Sequence, residues 1–142
     1  MYEREQYSLK MSFQDLEDIT LSDFADLFSA LDSSSKFINE LDNDAEDLIV
    51  KKLSLNSPFS LELIAAGFGT VYILVQIFDK VNSWRKTPHE INKLKLENEK
   101  LQLEMSKIRN DNMELNKVLT ELNNIRFKLD KLQIEKIDKK SQ

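Results

Sequence analysis

Residues 91–132 read INKLKLENEKLQLEMSKIRNDNMELNKVLTELNNIRFKLDKL, and how this stretch is read decides the fold. Leu94, Leu101, Ile108, Leu115, Leu122 and Leu129 recur every seven residues. A seven-step ladder of branched apolar side chains is the pattern of a coiled-coil seam, which one helix cannot bury alone. With the ladder at d, the a positions are Ile91, Asn98, Met105, Asn112, Leu119 and Arg126. Asparagine at a weakens a seam but fixes its register and favours parallel dimers. From Leu115 onward Val118, Ile125 and Leu132 join the ladder and Leu119, so the apolar stripe widens and calls for more than one neighbouring helix.

Immediately before the ladder, Thr87-Pro88-His89-Glu90 has the form of a capping box, with proline at the first helical position. No glycine or proline follows, so the spacing predicts one helix from Thr87 to about Lys136, some ~70 Å long. The chain divides on this reading into a head, residues 1–86, and a coiled-coil tail, residues 87–142. Its interface consists of Ile91, Leu94, Asn98, Leu101, Met105, Ile108, Asn112, Leu115, Val118, Leu119, Leu122, Ile125, Leu129 and Leu132. The expected partner is a second copy or another helical protein.

The head has room for one small core. Tyr7, Leu9, Met11 and Phe13 alternate with polar residues, as in a strand buried on one face. Thr20 and Ser22 offer helix caps, and Phe24, Leu27, Phe28, Leu31, Ile38 and Leu41 follow at helical spacing, with Asp32-Ser33-Ser34-Ser35 as a point of kinking. Leu48–Leu55 is aliphatic, interrupted by Lys51 and Lys52, and reads as a second strand. After Asn56-Ser57-Pro58, two readings stand. Phe59, Leu61 and Leu63 alternate as a third strand, or Ser57-Pro58 starts one helix to about Arg85. The alternation and the close glycines Gly67 and Gly69 favour the strand, with the apolar helix after it. The fold class expected is α+β: a β-α-β-β head, an apolar helix, then the long coiled coil.

Leu63–Phe78 is almost wholly apolar but short of the roughly 20 residues that cross a bilayer. Extension back to Phe59 admits Glu62, which is costly in lipid. A membrane-anchored protein with residues 59–78 inserted is therefore the alternative to a cytoplasmic one. Lys80, Arg85 and Lys86 would then keep the tail in the cytoplasm, with Trp84 at the interface. The N-terminal ten residues carry mixed charge and do not read as a signal peptide.

The net charge of -5 is unevenly placed: residues 1–79 balance at -10 and residues 80–142 at +5. An acidic chain is a poor general binder of nucleic acid, and none is expected as a partner. The ladder with its a-position asparagines resembles the dimerisation half of basic-zipper transcription factors. The basic helix that reads DNA has no counterpart before Ile91, where Pro88 and Glu90 stand.

Chemistry finds no foothold. There is no cysteine, and the one histidine, His89, lacks a second ligand at helical spacing. Gly67 and Gly69 lack the third glycine or the lysine of a phosphate loop. The acidic turn Asp42-Asn43-Asp44 departs from a calcium loop, with Asp47 where glycine and Leu53 where glutamate would be needed. No catalytic, cofactor-binding or metal-ligating residue is nominated, and no cofactor is expected.

Ser57-Pro58-Phe59-Ser60-Leu61-Glu62-Leu63, the apolar helix with Gly67 and Gly69, and the charged tail resemble small bacterial effector-associated accessory domains of conflict systems. The similarity spans about Tyr7 to Met105, with Phe59 where leucine is expected. It implies a bacterial adaptor, acting as an accessory in defence or signalling, and carries no functional residue with it. The function expected is thus non-catalytic: assembly of copies, or recruitment of a partner, through the tail.

Overall fold

The computed structural model describes residues 5–41, 46–86, 90–92 and 113–137. Its elements are β1 (Gln6–Phe13), α1 (Leu21–Leu41), β2 (Ile49–Ser54), β3 (Ser60–Ala66), α2 (Phe68–Arg85), β4 (Glu90–Asn92), α3 (Met113–Asn124) and β5 (Leu129–Lys136). They build one sheet in the order β2-β3-β1-β5-β4. Four strands run antiparallel to their neighbours, and the short β4 pairs parallel to β5.

The strand alternation of β1 does what period two requires: Tyr7, Leu9, Met11 and Phe13 are all buried. Register then sets apolar rows across the sheet. Leu9 lies between Leu63 and Ile134, and Met11 between Leu61 and Leu132. These side chains belong to one core with Leu27 and Ile38 of α1, Leu74 and Ile77 of α2, and Leu115 and Leu122 of α3. The other sheet face carries Lys10 opposite Glu62 and Gln133, and Ser12 opposite Ser60 and Lys131.

α1 begins at a reciprocal cap. Asp23 N–H donates to Thr20 Oγ1 at 3.1 Å, and Thr20 N–H donates to Asp23 Oδ2 at 2.9 Å. The serine cluster does not interrupt it. Buried Ser34 donates to the Ala30 carbonyl at 2.9 Å, and Ser35 Oγ accepts the Leu48 N–H at 3.3 Å, so these hydroxyls are satisfied within a continuous helix. Residues 60–66 form a strand, and Gly67, at φ 87°, turns the chain into α2. That left-handed conformation is one a glycine adopts without a Cβ clash.

The expected head with a long coiled-coil tail is not the architecture formed. Among the described residues the longest helix is α1, with 21 residues, while α3 has 12. Glu90, read as the third residue of a capping box, lies in β4 instead. The chain leaves α3 at Asn124, reverses, and returns as β5 against β1, the sheet's central strand. Its ends are fastened: Gln14 N–H donates to the Lys128 carbonyl at 2.8 Å, and Ile137 N–H to the Gln6 carbonyl at 2.9 Å. The seam failed because the apolar side chains from Leu115 onward find neighbours in their own chain. α3 packs against both α1 and α2, and an intramolecular core costs no association entropy.

The apolar stretch is also divided, between β3 and α2, and α2 is buried nearly all round by the sheet and the other helices. Among the described residues no helix is long and apolar enough to cross a membrane, and the 59–78 insertion finds no such helix.

Candidate interaction surface

The residues assigned to the coiled-coil interface fall into four groups. Leu115, Val118, Leu119 and Leu122 are the buried face of α3. Ile125, Leu129 and Leu132 are buried where the chain turns and enters β5. Ile91 lies in β4. Leu94, Asn98, Leu101, Met105, Ile108 and Asn112 lie outside the described residues. The structure thus brings the second half of the ladder together as core rather than as a surface.

Exposed apolar residues gather elsewhere. Among the described residues, β2 ends the sheet and is hydrogen-bonded to β3 alone. On and just beyond it, Ile49 is 58 % exposed, Val50 53 %, Leu53 44 % and Leu55 68 %. Four of the eight large exposed hydrophobic residues among those described fall in this short run. Scattered apolar exposure is normal, but a cluster on an open strand edge offers both apolar area and unpaired backbone groups.

Two features accompany the exposure of β2 among the described residues. Register places Val50 beside Leu63 and Leu53 beside Leu61, on the helix side of the sheet. Yet α1 stops short of closing over them and leaves a groove of about 270 Å³ between Phe28 and Leu31 on one wall and Leu48 and Val50 on the other. In addition, the pairing with β3 shifts between Val50 and Lys52, so Lys51 has no partner opposite it. Such a bulge increases local twist.

The strand's approach is held from α1. Asn39 Nδ2 donates to Asp47 Oδ1 at 2.6 Å, and the Leu48–Ser35 bond follows directly. Lys36 pairs with Asp32 at 3.0 Å on the groove's rim; the hydrogen bond to Asp32 raises its pKa, and the charge of Asp47 adds to the shift. Lys51 and Lys52 complete a surface with carboxylates at one end, apolar residues at its centre and ammonium groups at the other.

A second shallow depression, about 310 Å³, lies on the polar face of the sheet among Lys10, Ser12, Lys52, Ser60, Glu62 and Gln133. Its carboxylate, Glu62, accepts from Ser8 Oγ at 2.7 Å. Among the described residues no group of three or more His, Cys, Asp or Glu is placed to hold a metal ion. No protein-family model, curated protein or solved structure matches the chain.

The β2 edge was not nominated as a candidate, although its signal lay in the sequence. Adjacent lysines inside an aliphatic strand are a common mark of an edge, because a strand buried on both sides has nowhere to solvate them.

Proposed function

We propose that this chain is a non-catalytic interaction protein, an adaptor or assembly factor that takes its partner on the folded body at the β2 edge. The observation that supports this most is the coincidence of four exposed aliphatic residues with a strand that has no neighbour on its outer side among the described residues. An extended segment added there would gain ladder hydrogen bonds from the backbone. Its specificity would come from the side chains of Val50 and Leu53 and from the α1 groove. The setting implied by the Ser57–Leu63 resemblance, an accessory to a bacterial defence or signalling system, accords with a part that binds rather than reacts.

Selection of extended peptides from a displayed library against the full chain tests this reading. Selected peptides should slow amide exchange in β2 and lose about tenfold or more in affinity against Val50→Lys/Leu53→Lys, a change confined to half-exposed positions. Peptides that bind the double variant equally well, or a library that yields none, would remove β2 as the recognition surface.

A further inference from the structure

Apart from its apolar walls, the groove between α1 and β2 is lined by Asp32, Ser35 and Asp47. Both charged groups are carboxylates, and among the described residues no lysine or arginine lines it. We infer that this groove seats an arginine or lysine side chain of an extended peptide added to the β2 edge, its hydrocarbon stem on the apolar walls and its cation on Asp32 and Asp47. The inference rests on β2 being the docking edge and names what the docked segment must carry.

The chemistry of the groove narrows the choice of occupant. At about 270 Å³ it falls just below the roughly 300–1,000 Å³ of small-molecule sites and suits one long side chain. An anionic side chain would meet two carboxylates of its own sign. A purely apolar one would cover the walls but strip water from the carboxylates and return no hydrogen bond. An amide would donate, without the charge that strengthens such a bond. Arginine and lysine meet both demands, because a flexible hydrocarbon stem carries charged donors at its tip. Arginine is the better of the two: its planar fork donates to a carboxylate through two bonds, and it is less strongly hydrated.

Both carboxylates are placed to receive a cation. Asp47 accepts from Asn39 Nδ2 at 2.6 Å, which fixes the side chain and leaves acceptor capacity on it. The chain's own Lys36 lies 3.0 Å from Asp32, and Asp47 also raises its pKa, so the two carboxylates act on the same space. Lys36 and Asp32 are 73 % and 62 % exposed, and a pair so exposed is worth little. A guest cation with a buried stem therefore shares Asp32 with Lys36 or displaces it. Delivery follows from Val50, which sits beside Leu63 on the helix side of the sheet and lines the groove. A strand laid along β2 sends alternate side chains to that side, so its residue next to Val50 points toward α1. The balance of -10 over residues 1–79 draws a basic segment to this half of the chain.

Peptides selected from a displayed random library against the full chain are the probe. Those that slow amide exchange in β2 should share an arginine or lysine at one position, and its replacement by norleucine should cost about tenfold in affinity. Against Asp32→Asn/Asp47→Asn, which keeps an acceptor for Asn39, the same replacement should cost less than about twofold. Asp26→Asn/Asp130→Asn removes equal charge from exposed residues outside the groove and should leave the tenfold cost intact. Peptides that protect β2 without a shared cation overturn the inference and leave the docking edge standing, as does a norleucine cost undiminished in Asp32→Asn/Asp47→Asn. A cost lost equally in both variants overturns it too, since it reports attraction to an acidic chain and no seat in the groove. Peptides that ignore Val50→Lys/Leu53→Lys remove the docking edge and the inference together.

Discussion

Arg85, the last residue of α2, donates from Nη2 to the carbonyl oxygen of Ile125 at 2.7 Å, just beyond the end of α3. The same guanidinium reaches the Leu122 carbonyl and, from Nη1, the Phe127 carbonyl at 2.9 Å. One side chain therefore satisfies carbonyls at the place where α3 ends and the chain reverses toward β5. Cations are favoured there because the helix terminus exposes unpaired acceptors and negative dipole. Burial draws the Arg85 pKa downward, but guanidinium titrates so high that it stays charged in the neutral range. Arg85→Met should cost about 2–3 kcal/mol in urea unfolding, the scale of losing charged hydrogen bonds with partial burial. Arg85→Lys should recover only part of this, since an ammonium lacks the planar fork; full recovery would show that charge alone is used.

The opposite side of the same turn is held by Arg126. Its Nη1 lies 2.6 Å from Asp23 Oδ2, and its guanidinium also donates to the Glu17 carbonyl at 3.1 Å. The Thr20 backbone N–H, foremost, together with the Thr20 hydroxyl and Arg126, holds the Asp23 carboxyl below its ordinary value. A depressed folded pKa gives stability that is present above the unfolded value, about 3.9, and is lost as pH falls through the lower folded value. The stability gap between wild type and Asp23→Asn should therefore be constant from about pH 8 to 5 and shrink below about pH 4. A gap unchanged down to about pH 2 would mean that the carboxylate charge is not what the site uses.

Tyr7 provides the opposite sign. Burial, with Glu5 as hydrogen-bond acceptor and negative neighbour, pushes its phenol up to about 12. Its neutral form stabilises the fold fully below the unfolded value near 10, and that contribution is lost as pH rises through about 12. Ultraviolet titration of wild type minus Tyr7→Phe should show phenolate forming near the upper value. Ionisation near 10 in the folded protein would contradict the burial of this ring.

Leu122 and Leu119 are each 1 % exposed in the core. Leu122→Ala should lower stability by about 2–5 kcal/mol through lost contacts and a cavity. The loss should be independent of protein concentration, and the native mass should not change. A concentration-dependent loss would return Leu122 to an intermolecular seam.

Much of the fold is written in local pattern. The alternation Tyr7–Phe13 specifies β1, Thr20 and Asp23 specify the start of α1, and Gly67 marks the strand-to-helix turn. The C-terminal third was misread because spacing by seven is ambiguous once the chain turns. Leu115 and Leu122 share a helical face, but Leu129 follows a reversal and stands in a strand. Leu132-Gln133-Ile134-Glu135 alternates with period two, which was the available sign that the helix had ended. Ring contacts that fasten this segment were not legible at all. Phe127 lies 4.8 Å from Phe59 and 5.5 Å from Phe13, centroid to centroid, and such contacts join residues far apart in sequence. The proposed edge was half legible: β2 was recognised as a strand, but its place at the border depends on β5 taking the far side of β1.

The central claim is that the heptad-spaced leucines after Asn112 close the chain's own core and send β5 back onto β1. Isotope-filtered NMR on a mixture of labelled and unlabelled full-length protein tests it most directly. Cross-strand contacts between Leu9 and Ile134, partners in the β1–β5 register, should arise within single labelled chains. Contacts from Leu115 and Leu122 that arise only between labelled and unlabelled chains, with none joining β1 to β5, would contradict it and restore the coiled coil.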